Sequence, residues 1–380
     1  MPDLRVHPRR NIPRVLASVP RSEMAAPLEQ PNEPLTADTF DDGDSAISAP
    51  FSTDLTSLRS SIQRFQEENG RTYHSMSSGS KNCPKDNNGV TANSPENTTT
   101  LTTRGKTSGS DKPDLQHHVW LLTLHGRLGL SPKIEGTAKR VLDVGTGTGI
   151  WAIEYADLHP DSEVVGVDLS PIQPSLVPPN CSFEVDDLEK EWTWTTPFDL
   201  IFARVMTGSF TDMPGFIKNS FDNLEPGGYL EMQDVTFPME CDDNTLDKNS
   251  ELYRLGDLLM EASAAAGRLN NEAPKYKSYL EKAGFVDVVE KRYKWPLNQW
   301  PKDKHYKELG AWTFDNLDKG MEGFSMALFT RYLGWSSEDV ILFCAAARKQ
   351  LRDLRIHAYS PIYVVYGRKP ETASSPQSSP

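Results

Sequence analysis

Residues 140–170, RVLDVGTGTGIWAIEYADLHPDSEVVGVDLS, constrain this chain more than any other stretch. A short apolar run at 141–144 enters a turn carrying Gly145, Gly147 and Gly149. A helical pattern follows at 150–158, and a second apolar run at 164–167 ends on Asp168. Strand, tight turn, helix and strand in that order open a doubly wound α/β sheet. The glycines supply backbone dihedrals that other residues resist, and they let a ligand approach the main chain closely.

The free N–H groups at the start of the helix face an anionic group of such a ligand. An acid at the end of the second strand, here Asp168, accepts two hydrogen bonds from a ribose diol. Two cofactor classes use this arrangement. Nicotinamide and flavin folds want G-x-G-x-x-G or A, a form that Gly147, Gly149 and Ala152 meet. S-adenosylmethionine (SAM) enzymes resemble D-x-G-x-G-x-G, which Asp143, Gly145, Gly147 and Gly149 meet in full. The plain alternative is a glycine-rich turn with no ligand, so the rest of the chain has to separate the three.

A chain of 380 residues holds one large domain with tails, or two small domains. The formal net charge of −13 argues against a direct nucleic-acid partner. No apolar run approaches a membrane span, so no membrane association is expected. The basic N-terminus lacks an apolar core of the secretory kind. Cys83, Cys181, Cys241 and Cys344 form neither a metal spacing nor a disulfide framework. A cytoplasmic or nuclear protein without a metal site is the expectation.

In chain order, residues 1–57 read as a disordered tail rich in Pro, Ser, Asp and Glu. The spacing of Leu58, Ile62 and Phe65 predicts a short amphipathic helix over 58–73, stopped at Asn69-Gly70. Residues 76–113 read as a flexible low-complexity insertion. Residues 115–130 are apolar enough for a buried helix across the mouth of the turn; its His117, His118 and His125 lack metal-ligand partners and read as packing residues. Further strands are expected at 181–185, 198–203, 229–233, 285–293 and 361–366, with Glu225-Pro226-Gly227-Gly228 turning into the fifth. Helices are expected at 212–224, 245–266 and 273–283, a helical lid over 297–355, and a disordered tail at 371–380. Asp186 and Asp187 follow the third strand, Arg204 the fourth, and Gln233 and Asp234 end the fifth, all at the edge where ligands of this fold bind.

Seven strands result, and the last, after a long insertion, would slot in antiparallel between the fifth and sixth. That topology resembles a class I SAM-dependent methyltransferase. EENGRTYH (67–74), DLQHH (114–118), DLSPIQP (168–174), PPN (178–180), LEPGGYLEMQD (224–234), AGFVDV (283–288), WPKD (300–303), LFTRYLGW (328–335) and HAYSPIYVVYGRKP (357–370) narrow the match. Over about residues 58–370 the chain resembles the LaeA-like family of fungal methyltransferases. One departure lies at 81–112, which keeps Pro84-Lys85-Asp86 of an otherwise ordered family stretch and then becomes low complexity.

The resemblance implies methyl transfer from SAM to a small-molecule acceptor in secondary metabolism, or a nuclear regulatory role with velvet-family partners. It implies that Gly145, Gly147 and Gly149 shape the methionine pocket on a turn anchored by Asp143. Asp168 takes the ribose hydroxyls, Asp187 or Asp186 the adenine amino group, and Arg204 lies near the methionine end, beside the cofactor carboxylate or paired with Asp187. His117, His118, Tyr73 and Asp234 are within reach of the mouth as bases, and no spacing singles one out.

Overall fold

The computed structural model describes residues 34–38, the backbone of 65–68 and 71–74, and residues 115–136 and 138–371. Strands β1 (Phe65–Glu68) and β2 (Arg71–His74) pair antiparallel with Glu68 opposite Arg71. The helix expected over 58–73 is therefore corrected across its second half. Two residues of sequence Asn-Gly between the strands are a hairpin signal stronger than the helix-stop reading they received. Leu58 and Ile62, which carried the helical spacing, lie outside the described residues, as do the remainder of 1–57, the 76–113 segment and 372–380. Residues 34–38, expected to be unstructured, run along the W-P-K-D motif: the Asp38 amide donates to the Trp300 carbonyl at 2.9 Å and the Lys302 amide to the Thr36 carbonyl at 2.9 Å.

The main sheet has eight strands, ordered β5 (Cys181–Val185), β4 (Glu163–Asp168), β3 (Arg140–Val144), β6 (Phe198–Arg204), β7 (Leu224–Val235) and β10 (Ala358–Arg368). The two-residue β8 (Glu240–Cys241) and β9 (Val286–Pro296) both pair with β10. The first five run parallel, and β10 lies antiparallel between β7 and β9, as the sequence led one to expect. Alternate side chains enter two cores. Leu142, Val144, Ile201 and Leu230 face α3 (Met213–Asp222) and α5 (Tyr276–Ala283), while Val141, Val164 and Phe202 face α2 (Ile150–Leu158). Burial on both faces is why these strands read as unbroken apolar runs.

The turn expected at 225–228 lies inside β7, whose register against β6 jumps from Phe198–Leu224 to Leu200–Tyr229. The helix expected over 115–130 ends early: α1 is Leu115–Thr123, because His125 at φ 52° and Gly126 at φ 82° take left-handed conformations that no helix continues through. β7 and β9 end, and β10 begins, at the same edge as the glycine turn. From these connections hang α4 (Glu251–Ala265), α6 (Lys304–Tyr332) and α7 (Ser337–Leu351), packed on one another around Leu255, Leu259, Met321, Phe329, Val340 and Leu351. Among the described residues no helix is long and apolar enough to cross a membrane.

Candidate active site

The glycine turn departs from the pattern of most other helix starts in the molecule. α3, α4, α6 and α7 begin on Asp212, Ser250, Asp303 and Ser336, whose side chains accept from first-turn amides. α2 begins on Gly149, which has no capping side chain; among its first-turn amides, that of Ala152 donates to the buried Asp143 carboxyl. Gly145, Gly147 and Gly149 stand at φ 67°, 56° and 80°. A Cβ at Gly145 would come within 2.4 Å of Met206 Sδ, and one at Gly149 within 2.4 Å of Phe183 Cζ. Gly147 is different: outside its own chain neighbours, the nearest described atom to a Cβ there is the Gly145 carbonyl oxygen at 3.9 Å. Two glycines thus close-pack against the protein, and the middle one borders open space.

Asp168 ends β4 beside this space. Its Oδ2 accepts from the Gly147 amide at 2.8 Å and its Oδ1 from the Ser170 amide at 2.8 Å. Gln173, which the sequence reading treated only as part of a turn, donates to the Gly147 carbonyl at 2.7 Å and to the Ser170 carbonyl at 2.9 Å. It ties the loop after β4 to the glycine turn. The Asp186 amide donates to the Asp168 carbonyl at 3.3 Å, so the two acids are neighbours along the edge. Asp186 Oδ1 accepts from the Asp187 amide, while Asp187 accepts from the Glu189 amide at 3.1 Å and pairs with Lys190 at 3.3 Å.

Asp143 works from beneath. It is 3 % exposed and accepts from the Thr146 hydroxyl at 2.6 Å, which pins the turn from inside. Burial pushes its carboxyl up to about 7, against the pull of the Thr146 bond and the Arg204 charge. Asp234 is likewise buried and pushed up to about 7 by burial, against the Tyr276 hydroxyl, which donates to it at 2.8 Å, and the amides of Thr207, Val235 and Met206. Those donors hold the turn after β6, where Val205 takes φ 56°, an uncommon conformation for a β-branched residue. The strain sets Met206 against Gly145; no sequence signal marks it.

Of the residues within reach as bases, Asp234 is 1 % exposed and ringed by donors, and His118 lies edge-on to Trp312 at 4.6 Å. His117 is 6 % exposed between Glu154 and Arg204. The side chain of Tyr73 lies outside the described residues. Arg204 reaches the mouth at the end of β6 with its guanidinium bonded to Gln233, His117 and the Leu128 carbonyl. Two open surface clefts, of about 580 Å3 beside Asp287 and Arg368 and about 330 Å3 beside Glu163 and Asn180, lie at the opposite edge of the sheet and belong to no part of this site.

A methyltransferase-domain family matches residues 115–290. With the strand order and the D-x-G-x-G-x-G turn, this defines a class I methyltransferase that uses SAM as its cofactor. The open space at Gly147, the uncapped start of α2 and the acid at the end of β4 fit that cofactor. Methyltransferase pytC of Aspergillus terreus is 37% identical over 326 residues, 86% of this chain and 94% of that protein. The probable methyltransferase tdiE of Emericella nidulans is 38% identical over 263 residues, 69% of this chain and 82% of that protein. The protein-methionine methyltransferase laeA of Emericella nidulans is 31% identical over 326 residues, 85% of this chain and 81% of that protein. The chain belongs to the LaeA-like family of fungal methyltransferases.

Proposed function

We propose that the protein transfers the SAM methyl group to a small-molecule acceptor of fungal secondary metabolism. The observation that carries this reading is the open face of the glycine turn at Gly147, beside Asp168 and below an uncapped helix start. The greater likeness to pytC and tdiE, neither of them named as acting on protein, than to the protein-methionine methyltransferase laeA supports it. In this reading Gly145, Gly147 and Gly149 hold the methionine end, with Asp143 anchoring their turn. Asp168 exchanges its Gly147 and Ser170 amide partners for the ribose hydroxyls, and Asp186 or Asp187 takes the adenine amino group. The helical layer of α4, α6 and α7 acts as a lid that excludes water. A sulfonium methyl is already electrophilic when the cofactor is bound. The chain's own task is alignment, worth roughly 7–11 kcal/mol in the best intramolecular cases.

The test uses the full chain, methyl-labelled SAM and a low-molecular-mass extract of a secondary-metabolite-producing fungus. Label in a small molecule, lost in Asp168→Ala, is expected. Label confined to protein, with co-purification of a velvet-type partner from nuclei, would instead favour the regulatory role.

A second reading has its own observation. Met206, 7 % exposed, sets its sulfur against Gly145, and one relative is named a protein-methionine methyltransferase. A thioether lone pair attacks the methyl carbon as the bond to the cofactor sulfur breaks, its electrons staying on that sulfur. A sulfonium forms on Met206 and no proton moves, so no base is required. Peptide mapping after incubation with labelled SAM alone checks this: label on the Met206 peptide, absent in Met206→Leu, is expected, and an unlabelled peptide contradicts it.

A further inference from the structure

Five polar side chains from four elements form one chain beside the site, His117, Gln233 and Glu231 buried and Glu154 and Arg204 half-buried. Glu154 on α2 accepts from His117 Nε2 at 2.7 Å. His117 Nδ1 meets Arg204 Nη1 at 3.1 Å. A guanidinium only donates, so Nδ1 is an acceptor here, and Nε2 carries the hydrogen that goes to Glu154. Arg204 Nε donates to Gln233 Oε1 at 2.8 Å, and its Nη2 to the Leu128 carbonyl at 3.0 Å. Gln233 Nε2 then donates to Glu231 at 2.8 Å. Glu231, wholly buried, accepts the amides of Leu130 and Ser131 at 2.6–2.9 Å. A Cβ at Gly129 would lie 2.7 Å from a Glu231 oxygen, so that segment is seated directly on the carboxylate.

The guanidinium also lies 5.3 Å from the Trp120 ring centroid and 5.1 Å from that of Phe202. Both rings belong to cores behind the site, one in α1 and one in β6. The chain therefore links the helix that continues the glycine turn to the ends of β6 and β7, through α1 and residues 128–131. We propose that Arg204 and His117 are positioning residues of the methyl-transfer site. They fix α2 and its glycine turn relative to the strand ends that face the cofactor, with Arg204 acting through His117 and Gln233 and not as a ligand of the cofactor carboxylate. The proposal requires only SAM as methyl donor and is independent of which acceptor is used.

The test is the affinity of the full chain for S-adenosylhomocysteine by calorimetry, with thermal melts to confirm folding. Arg204→Lys keeps the charge and loses the fork; His117→Ala removes the link. Each is expected to weaken binding on the order of tenfold, and the double variant to be no weaker than the worse single one within about twofold, because both break one unit. Asn places an acceptor near the Nδ1 position and Gln places a donor near Nε2. Each keeps one end of the link and breaks the other, so His117→Asn and His117→Gln are both expected to weaken binding about as much as His117→Ala. Glu154→Gln, at the far end of the chain on α2, weakens binding severalfold. A general packing defect would instead leave the bulkier Asn and Gln variants clearly tighter than His117→Ala, and that result overturns the proposal. Losses that multiply in the double variant overturn the proposal, as does a weakened Arg204→Lys alongside unaffected His117→Ala and Glu154→Gln. Unchanged affinity throughout overturns it too. If Arg204→Lys does not fold, the His117 series and Glu154→Gln decide alone.

Discussion

Gly147 and Gly310 are both glycines that the chain needs, for opposite reasons. Gly310 sits near the start of α6, where a Cβ would come within 2.1 Å of the Asn298 carbonyl oxygen and 3.3 Å of Pro296. Asn298 in turn donates to the Leu351 and Asp353 carbonyls, closing the end of α7. Gly147 is held at φ 56° with no described atom beyond its chain neighbours nearer than 3.9 Å to a Cβ. One glycine lets protein touch protein; the other keeps protein back from a ligand. The helix starts do not draw this line alone: α3, α4, α6 and α7 are capped by their own side chains, while α2 and α5 both begin without one, and only α2 has the open space at Gly147 beside it.

The contrast breaks if changes in the helical layer reach the cofactor, or if changes at the turn reach only stability. Gly310→Ala forces a backbone shift and should destabilise by about 3 kcal/mol or more, the upper end for overpacking. Urea unfolding reads this, and cofactor affinity of the folded protein should not move. Asp168→Ala should act the other way: two ribose hydroxyls left unpaired weaken cofactor binding by about 1.5–3 kcal/mol in calorimetry, with a small effect on melting. Ser336→Ala removes the capping box of α7 at a cost of about 1 kcal/mol in stability and none in binding.

A pH dependence sharpens the picture at Asp143. Its folded-state pKa is raised from 3.8 to about 7, so between those values the folded chain holds a proton that the unfolded chain has released. Stability therefore falls as pH rises through that window and levels off above it. Asp143→Asn lacks this group, so the stability of wild type relative to the variant should decline from pH 5 to about 7. Parallel melting curves across that range would contradict the assignment.

The sheet was legible because parallel strands buried on both faces appear as short apolar runs, and because Gly145, Gly147 and Gly149 mark the first crossover. The helix read at 150–158 is α2 as observed, and the last strand lies where the late I-Y-V-V-Y run implied. The hairpin at 65–74 was read as helix because Phe65 fell at helical spacing from residues that precede the strand. α1 stops at Thr123 ahead of His125 and Gly126, both left-handed; the glycine is a stop signal in the sequence that the apolar pattern through 130 overrode, and the histidine is not one. Val205 is hidden for the same reason. The partners of Arg204 at 117, 128 and 233 are scattered in sequence and meet only when β6, β7 and α1 are in place. Gln173 reaching back to Gly147 was equally invisible, since its turn looked sufficient in itself.

The most direct measurement is calorimetric titration of the full chain with SAM and with S-adenosylhomocysteine, beside Gly147→Arg. Saturable binding of both to wild type is expected, with loss of more than about 100-fold in a variant that still melts cooperatively, because the arginine fills the space the cofactor requires. Binding that survives in Gly147→Arg, or a folded wild type that binds neither compound, would contradict the placement of the cofactor on the glycine turn.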